Sequence, residues 1–220
     1  MRSWFVHLLL GLSLVIIFAL FSFLVDINVF KQLDFDATVR LQDNISRRFD
    51  DFFSWFSVIG MFEITTIILL FILIIKRKIL AGSMTFFLFG LFHIIEIFGK
   101  SIVENTPPPE FMLRTKRFIE FPQFHVRSEY SYPSGHSGRT VFISVLIILF
   151  VWNIKRIPVI YRLVIITIVG MFDLCMLFSR VYLGEHWLTD IVGGSILGAA
   201  FALLGASLYG LSENTRKTKK

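Results

Sequence analysis

The chain has 220 residues, of which 55% are hydrophobic and 17% charged, with 26 Phe and a mean hydropathy of +0.72. A soluble domain carries about a quarter charged residues, so a water-soluble globular enzyme is excluded and a polytopic membrane protein is expected. The net charge of +6 does not point to nucleic acid, because the basic residues stand in short clusters between apolar runs.

Six apolar segments are expected to span the membrane, at about 4–25, 56–75, 79–99, 138–154, 157–178 and 187–209. The first follows Arg2 and has the basic start of a signal peptide. Its apolar body is too long, however, and no small-residue cleavage site precedes Asp26, so it reads as a transmembrane helix. Between the first and second spans, residues 35–57 interleave Phe35, Val39, Leu41, Ile45, Phe49, Phe52 and Phe53 with charged residues on a helical period. That pattern predicts an amphipathic helix lying in the interface, with a solvated connector helix as the alternative. The fourth run is the shortest, and its polar start would lie within the headgroup zone. Cys175, the single cysteine, lies in the fifth run; it can form no intrachain disulfide and reads as a small buried hydrophobe. Gly194 and Gly198 in the last run form a small-xxx-small face for helix packing. The basic tail 213–220 is expected to be disordered. The fold class expected is thus all-α: one six-span membrane domain over 1–220, with a core at about 56–209.

Orientation follows from the short loops. Arg2, Lys76-Arg77-Lys78, Lys155-Arg156 with Arg162, and the tail residues Arg216 to Lys220 fall on one side if there are six spans. The positive-inside rule makes that side cytoplasmic, with both termini there. Lys100, the loop 101–135, the start of the fourth span and the hinge 179–190 then converge on the outer face.

That hinge offers a guanidinium, an imidazole and a carboxylate: Arg180, His186 and Asp190. If the helix starts near Trp187, His186 and Asp190 sit at i and i+4, within mutual reach. A carboxylate there fixes the imidazole tautomer and raises its basicity, as an activated histidine nucleophile requires; a helix-capping Asp in a polar loop is the plainer reading. Pro133-Ser134-Gly135-His136 precedes the fourth run. Ser134 and Gly135 at a helix start make an anion site, with His136 beside it as a proton donor; a turn with an N-cap is the alternative. Lys100 can snorkel or join Arg180 in a cationic cradle. Cradle and two histidines together suggest phosphoryl transfer.

These motifs resemble the type 2 phosphatidic acid phosphatase family, the membrane branch of a superfamily that includes vanadium haloperoxidases. Its signatures are K-x6-R-P, P-S-G-H and S-R-x5-H-x3-D. The second matches Pro133 to His136; the third matches Ser179, Arg180, His186 and Asp190 in spacing. The resemblance implies that His186 attacks phosphorus while Asp190 holds its ring. It implies that Lys100, Arg180, Ser134 and Gly135 bind the phosphoryl oxygens, and that His136 protonates the leaving oxygen. No metal and no other cofactor are implied. The first signature is broken, because Pro107 stands where the family has arginine. Arg114 is a candidate replacement; the alternative is that the cluster Arg114, Lys116 and Arg117 meets anionic headgroups.

Within spans, His93 and Glu96 have the types and spacing of a metal pair, but the sequence offers no third ligand. Glu96 and Asp173 are expected instead to orient Lys100 and Arg180 respectively. The expected activity is metal-independent hydrolysis of a lipid phosphomonoester or diphosphate through a phosphohistidine at the outer face of the cell membrane. Phosphatidate, phosphatidylglycerophosphate and undecaprenyl diphosphate are all compatible substrates. Phosphotransfer through the same intermediate, or non-catalytic lipid binding or transport, are the alternatives. The expected partners are the lipid phosphate and membrane lipids, with no nucleic acid.

Overall fold

A computed structural model describes residues 3–116 and 130–217, with side chains given through 212. The described residues form eight α-helices and no strand: α1 (Ser3–Asp26), α2 (Lys31–Asn44), α3 (Asp50–Val58), α4 (Phe62–Lys76), α5 (Ile79–Ile102), α6 (Gly135–Trp152), α7 (Val159–Tyr182) and α8 (Leu188–Lys217). Five of them, α1, α5, α6, α7 and α8, are long and apolar enough to cross a membrane. A sixth span is counted only if the segment 47–58 and α4, which meet at a 48° bend, are taken together as one broken span. Large apolar residues stand fully outward, Ile79 at 87% and Ile74 at 71% exposed. Such a surface suits a hydrocarbon solvent. The chain is an integral, multi-pass membrane protein.

Helix α8 is the centre, with α1, α5 and α6 packed along it. Apolar burial gives little drive between helices in lipid, so close approach of small residues must supply contact energy. A Cβ at Gly198 would stand 2.1 Å from Gly138 O, and one at Gly194 would stand 2.2 Å from Ser134 O. Backbone therefore lies on backbone where α6 crosses α8, and the glycine pair of the last span is a packing face. Below the crossing Phe89, Phe92, Phe142, Leu146, Leu197 and Phe201 fill the core.

Two expectations change. The interfacial stretch 35–57 is two helices and not one. The break follows Asn44: Ile45 is extended, and Ser46 accepts from Arg48 N at 3.5 Å to start a 3-10 turn over Arg47–Phe49 that leads into α3. A serine side chain offering the backbone a local partner competes with helix continuation. At the other end, α8 runs on to Lys217, into the stretch read as a disordered tail; residues 218–220 lie outside the described residues.

Basic elements gather at one end of the bundle. Trp4 packs against Gly210, Lys78 Nζ lies 3.5 Å from Tyr209 O, and Lys76 Nζ sits 4.1 Å over the Phe150 ring. The opposite end is formed by the C-termini of α5 and α7 and the N-termini of α6 and α8.

Candidate active site

The hinge between α7 and α8 turns on glycine. Leu183 N and Gly184 N bond back to Ser179 O and Val181 O at 2.9 and 3.0 Å. Gly184 has φ +69°, a region that side chains disfavour, and a Cβ there would lie 2.3 Å from Met112 O. Only glycine lets the hinge pass beneath the 110–112 turn.

His186 follows, and α8 begins two residues later. Asp190 Oδ2 accepts from Trp187 N at 3.0 Å, closing the first turn. Asp34, reaching over from α2, accepts from Thr189 N at 2.9 Å and from Thr189 Oγ1 at 2.6 Å. Two carboxylates thus face the positive end of the α8 dipole. Burial pushes the Asp34 carboxyl above its ordinary value, the Thr189 bonds oppose that, and the nearby Asp190 adds to it.

One carboxylate oxygen of Asp190 serves two neighbours: the oxygen that caps α8 also lies 3.2 Å from His186 Nδ1. The carboxylate is fully buried, and its other oxygen accepts from Asn105 Nδ2 at 2.8 Å. A carboxylate fixed against Nδ1 keeps the proton there and leaves the Nε2 lone pair outward.

Pro133–His136 lies on the first turns of α8. Ser134 N donates to Asp190 O at 2.9 Å, and Ser131 N donates to Asn105 O at 2.9 Å. The His136 ring leans on the α3–α4 bend, where a Cβ at Gly60 would stand 2.8 Å from His136 Cδ2. Arg180, Arg139, His186 and Lys100 all lie within electrostatic reach of His136. The structure therefore brings together Lys100, Ser134, Gly135, His136, Arg180, His186 and Asp190.

Each cation has a carboxylate partner. Lys100 Nζ bonds Glu96 Oε1 at 3.1 Å, one turn back along α5. Arg180 is fully buried, with Nη1 on Glu185 Oε2; Glu185 Oε1 in turn accepts from Thr115 Oγ1 at 2.5 Å. Glu96 thus holds Lys100, as expected. Asp173 does not reach Arg180: it accepts from Ser144 of α6 at 2.8 Å, and Glu185 takes the place expected for it. His93 and Glu96 face each other at 3.1 Å, with Arg139 Nη1 3.3 Å from the same Glu96 oxygen. That carboxylate is already shared between cations, which does not suit a metal pair.

Two donors at the site are buried and have no partner among the described residues: Arg180 Nη2 and Ser134 Oγ. Leaving such a group unpaired costs about 1–3 kcal/mol, and an orphan of this kind calls for a reason, such as an anion that supplies the missing oxygens.

Arg114 does not join the cluster in this conformation. Its Nη1 and Nη2 donate to Ile45 O and Gln42 O at 3.2 and 2.8 Å, and its guanidinium stacks 5.2 Å over the Tyr182 ring. Lys116 pairs with Asp51 at 2.6 Å, and Arg117 lies outside the described residues. Pro107 lines a cleft of about 470 Å³ with Asn105 and Trp187. Three residues escaped the sequence reading: Asn105 behind Asp190, Glu185 beside Arg180, and Arg139 one turn below His136. Only Arg139 had left a signal, a guanidinium at the polar start of an apolar run.

Over 124 residues the chain is 28% identical to phosphatidylglycerophosphatase B of Bacillus subtilis (strain 168), 56% of this chain and 55% of that protein. The chain thus matches about half the length of that curated relative. A crystal structure of a transmembrane PAP2-type phosphatidylglycerolphosphate phosphatase from Bacillus subtilis has the same fold. Its TM-score is 0.70, over 93% of this chain and 96% of that one, at 21% identity. The family model of the PAP2 superfamily matches residues 78–213, which take in Lys100, Pro133–His136 and the whole hinge. This chain belongs to the PAP2 superfamily.

Proposed function

We propose that the protein is a lipid phosphate phosphatase that works through a phosphohistidine on His186 at the extracytoplasmic face of the membrane. One observation carries the reading: an imidazole held at Nδ1 by a buried carboxylate shares its end of the bundle with two buried donors that have no partner among the described residues, Arg180 Nη2 and Ser134 Oγ.

The reaction runs in two displacements. His186 Nε2 attacks phosphorus; the P–N bond forms as the P–O bond to the lipid breaks, and His136 gives its proton to the departing oxygen. Water then attacks the phosphohistidine, His136 takes a proton from it, the P–N bond breaks and inorganic phosphate leaves. Arg180 Nη2, Ser134 Oγ, the Gly135 amide and Lys100 hold the equatorial oxygens, where charge accumulates. No step requires a metal or another cofactor. Asp190 stabilises the imidazolium that the first step generates.

The names of the relatives support a phosphomonoester of the phosphatidylglycerophosphate type; phosphatidate and undecaprenyl diphosphate present the same terminal group. The outward orientation is supported by the gathering of Lys76, Lys78 and the chain ends at the far end of the bundle.

Phosphate release in EDTA from a panel of short-chain lipid phosphates tests the reading. The wild type is expected to release phosphate, vanadate to inhibit it, and His186→Ala to abolish it. An active His186→Ala variant excludes the phosphohistidine, and an inert wild type favours lipid binding without catalysis.

A further inference from the structure

Arg139 is a buried cation beside the site that the mechanism above does not use. It follows His136 by three residues on α6, so both lie on one face of that helix, and it is 8% exposed. A guanidinium inside a membrane-spanning helix is expensive, and such groups mark functional sites by default. Its Nε donates to Gly60 O at 3.2 Å and its Nη1 to Glu96 Oε2 at 3.3 Å; Nη2 has no bond to the described residues.

Its position is informative. Side chains on a helix lean toward the N-terminus, so the guanidinium climbs back to the level of Gly135. A Cβ at Gly135 would stand 2.6 Å from Arg139 Nη1 and 2.0 Å from Glu96 Oε1. The space a side chain would fill at Gly135 is occupied by the Glu96–Arg139 pair, beside the residue whose amide the mechanism above gives to the phosphoryl group. Lys100 shares the Glu96 carboxylate, and Arg139 lies within electrostatic reach of His136, Arg180 and Glu63 of α4. The other candidate guanidinium, Arg114, is spent on the end of α2, and position 107 is proline.

We propose that Arg139, aimed by Glu96, supplies a second guanidinium to the wall that binds the phosphoryl group. The pairing on Glu96 brings Lys100 and Arg139 together as one cationic edge within electrostatic reach of Arg180. This inference rests on the phosphatase reading, but it has its own test.

Arg139→Lys keeps a cation opposite Glu96 while removing the planar fork; Arg139→Gln removes the charge and keeps a donor. Both are purified in detergent beside the wild type and His186→Ala. Three quantities are measured: phosphate release from a short-chain lipid phosphate, the vanadate inhibition constant and the melting temperature. Loss of one transition-state donor is expected to lower kcat about 10²- to 10³-fold, with the vanadate constant rising in parallel and KM moving less. Arg139→Lys is expected to hold the fold; should it not, Arg139→Gln carries the same test. A wild-type vanadate constant in a folded variant overturns the proposal, whatever happens to kcat, because a structural prop has no contact with the oxyanion. An inert wild type or an active His186→Ala would instead remove the phosphatase reading beneath it.

Discussion

Among the described residues Asp190 takes hydrogen bonds from His186, Trp187 and Asn105, and the third comes from a distant loop. Asn105 also receives Ser131 through its carbonyl, so one residue holds both the carboxylate that orients His186 and the approach to Ser134. A hydrogen bond to a buried charge contributes about 1.5–3 kcal/mol. Asn105→Ala is therefore expected to lower kcat by roughly 10- to 100-fold with KM little changed. Steady-state kinetics beside a melting curve would separate this from unfolding. The His186–Asp190 pair was legible because its geometry is local, four residues on one helix start. Asn105 was not, since nothing in an Asn-Thr-Pro-Pro-Pro run reports a partner 85 residues away. Arg139 was hidden differently: it stood at the polar start of an apolar run and was absorbed into the headgroup zone.

The short helices α2 and α3 brace the hinge as well as bordering the bundle. Tyr182 O–H donates to Asp50 at 2.5 Å, Gln42 reaches Tyr182 O and Met112 O at 3.0 and 2.7 Å, and Asp34 caps α8. Asp34→Ala would leave two buried donors of Thr189 unpaired, at about 1–3 kcal/mol, while Asp34→Asn can still accept from the amide. Burial raises the Asp34 carboxyl. The folded protein then holds that proton more tightly than the unfolded chain, so its stabilisation is full below the unfolded value and fades as pH rises through the folded one. Melting temperatures across that window are expected to fall for the wild type and to fall less for Asp34→Asn. The amphipathic period of 35–57 was visible in the sequence. The division at Ile45–Ser46 was not, because periodicity continues across a break that a single serine cap creates.

For the molecule as a whole, hydropathy located the spans and charge grouped their ends. It could not foresee the 48° bend between the segment 47–58 and α4, since an apolar window reports length and has no term for direction. The grouping makes a prediction on a Cys175→Ser background. Lys155→Cys at the basic end and Phe111→Cys at the site end are both exposed. An impermeant thiol reagent should label them from opposite sides of a sealed vesicle, Phe111→Cys from the extracytoplasmic side. Labelling from the same side would break the six-span arrangement.

The bare crossing of α6 over α8 sets a scale for everything above it. His136 rides on one helix start and His186 stands two residues before the other, and within a turn of His136 the α6 backbone at Gly138 is already against Gly198, about three turns along α8. The gap between the two imidazoles is thus gauged by the missing side chains, with the loops only following. Two helices cannot come nearer than their main chains allow, so the glycines hold the clearance between the two helix starts at its lower bound. A larger residue at either position could only widen it.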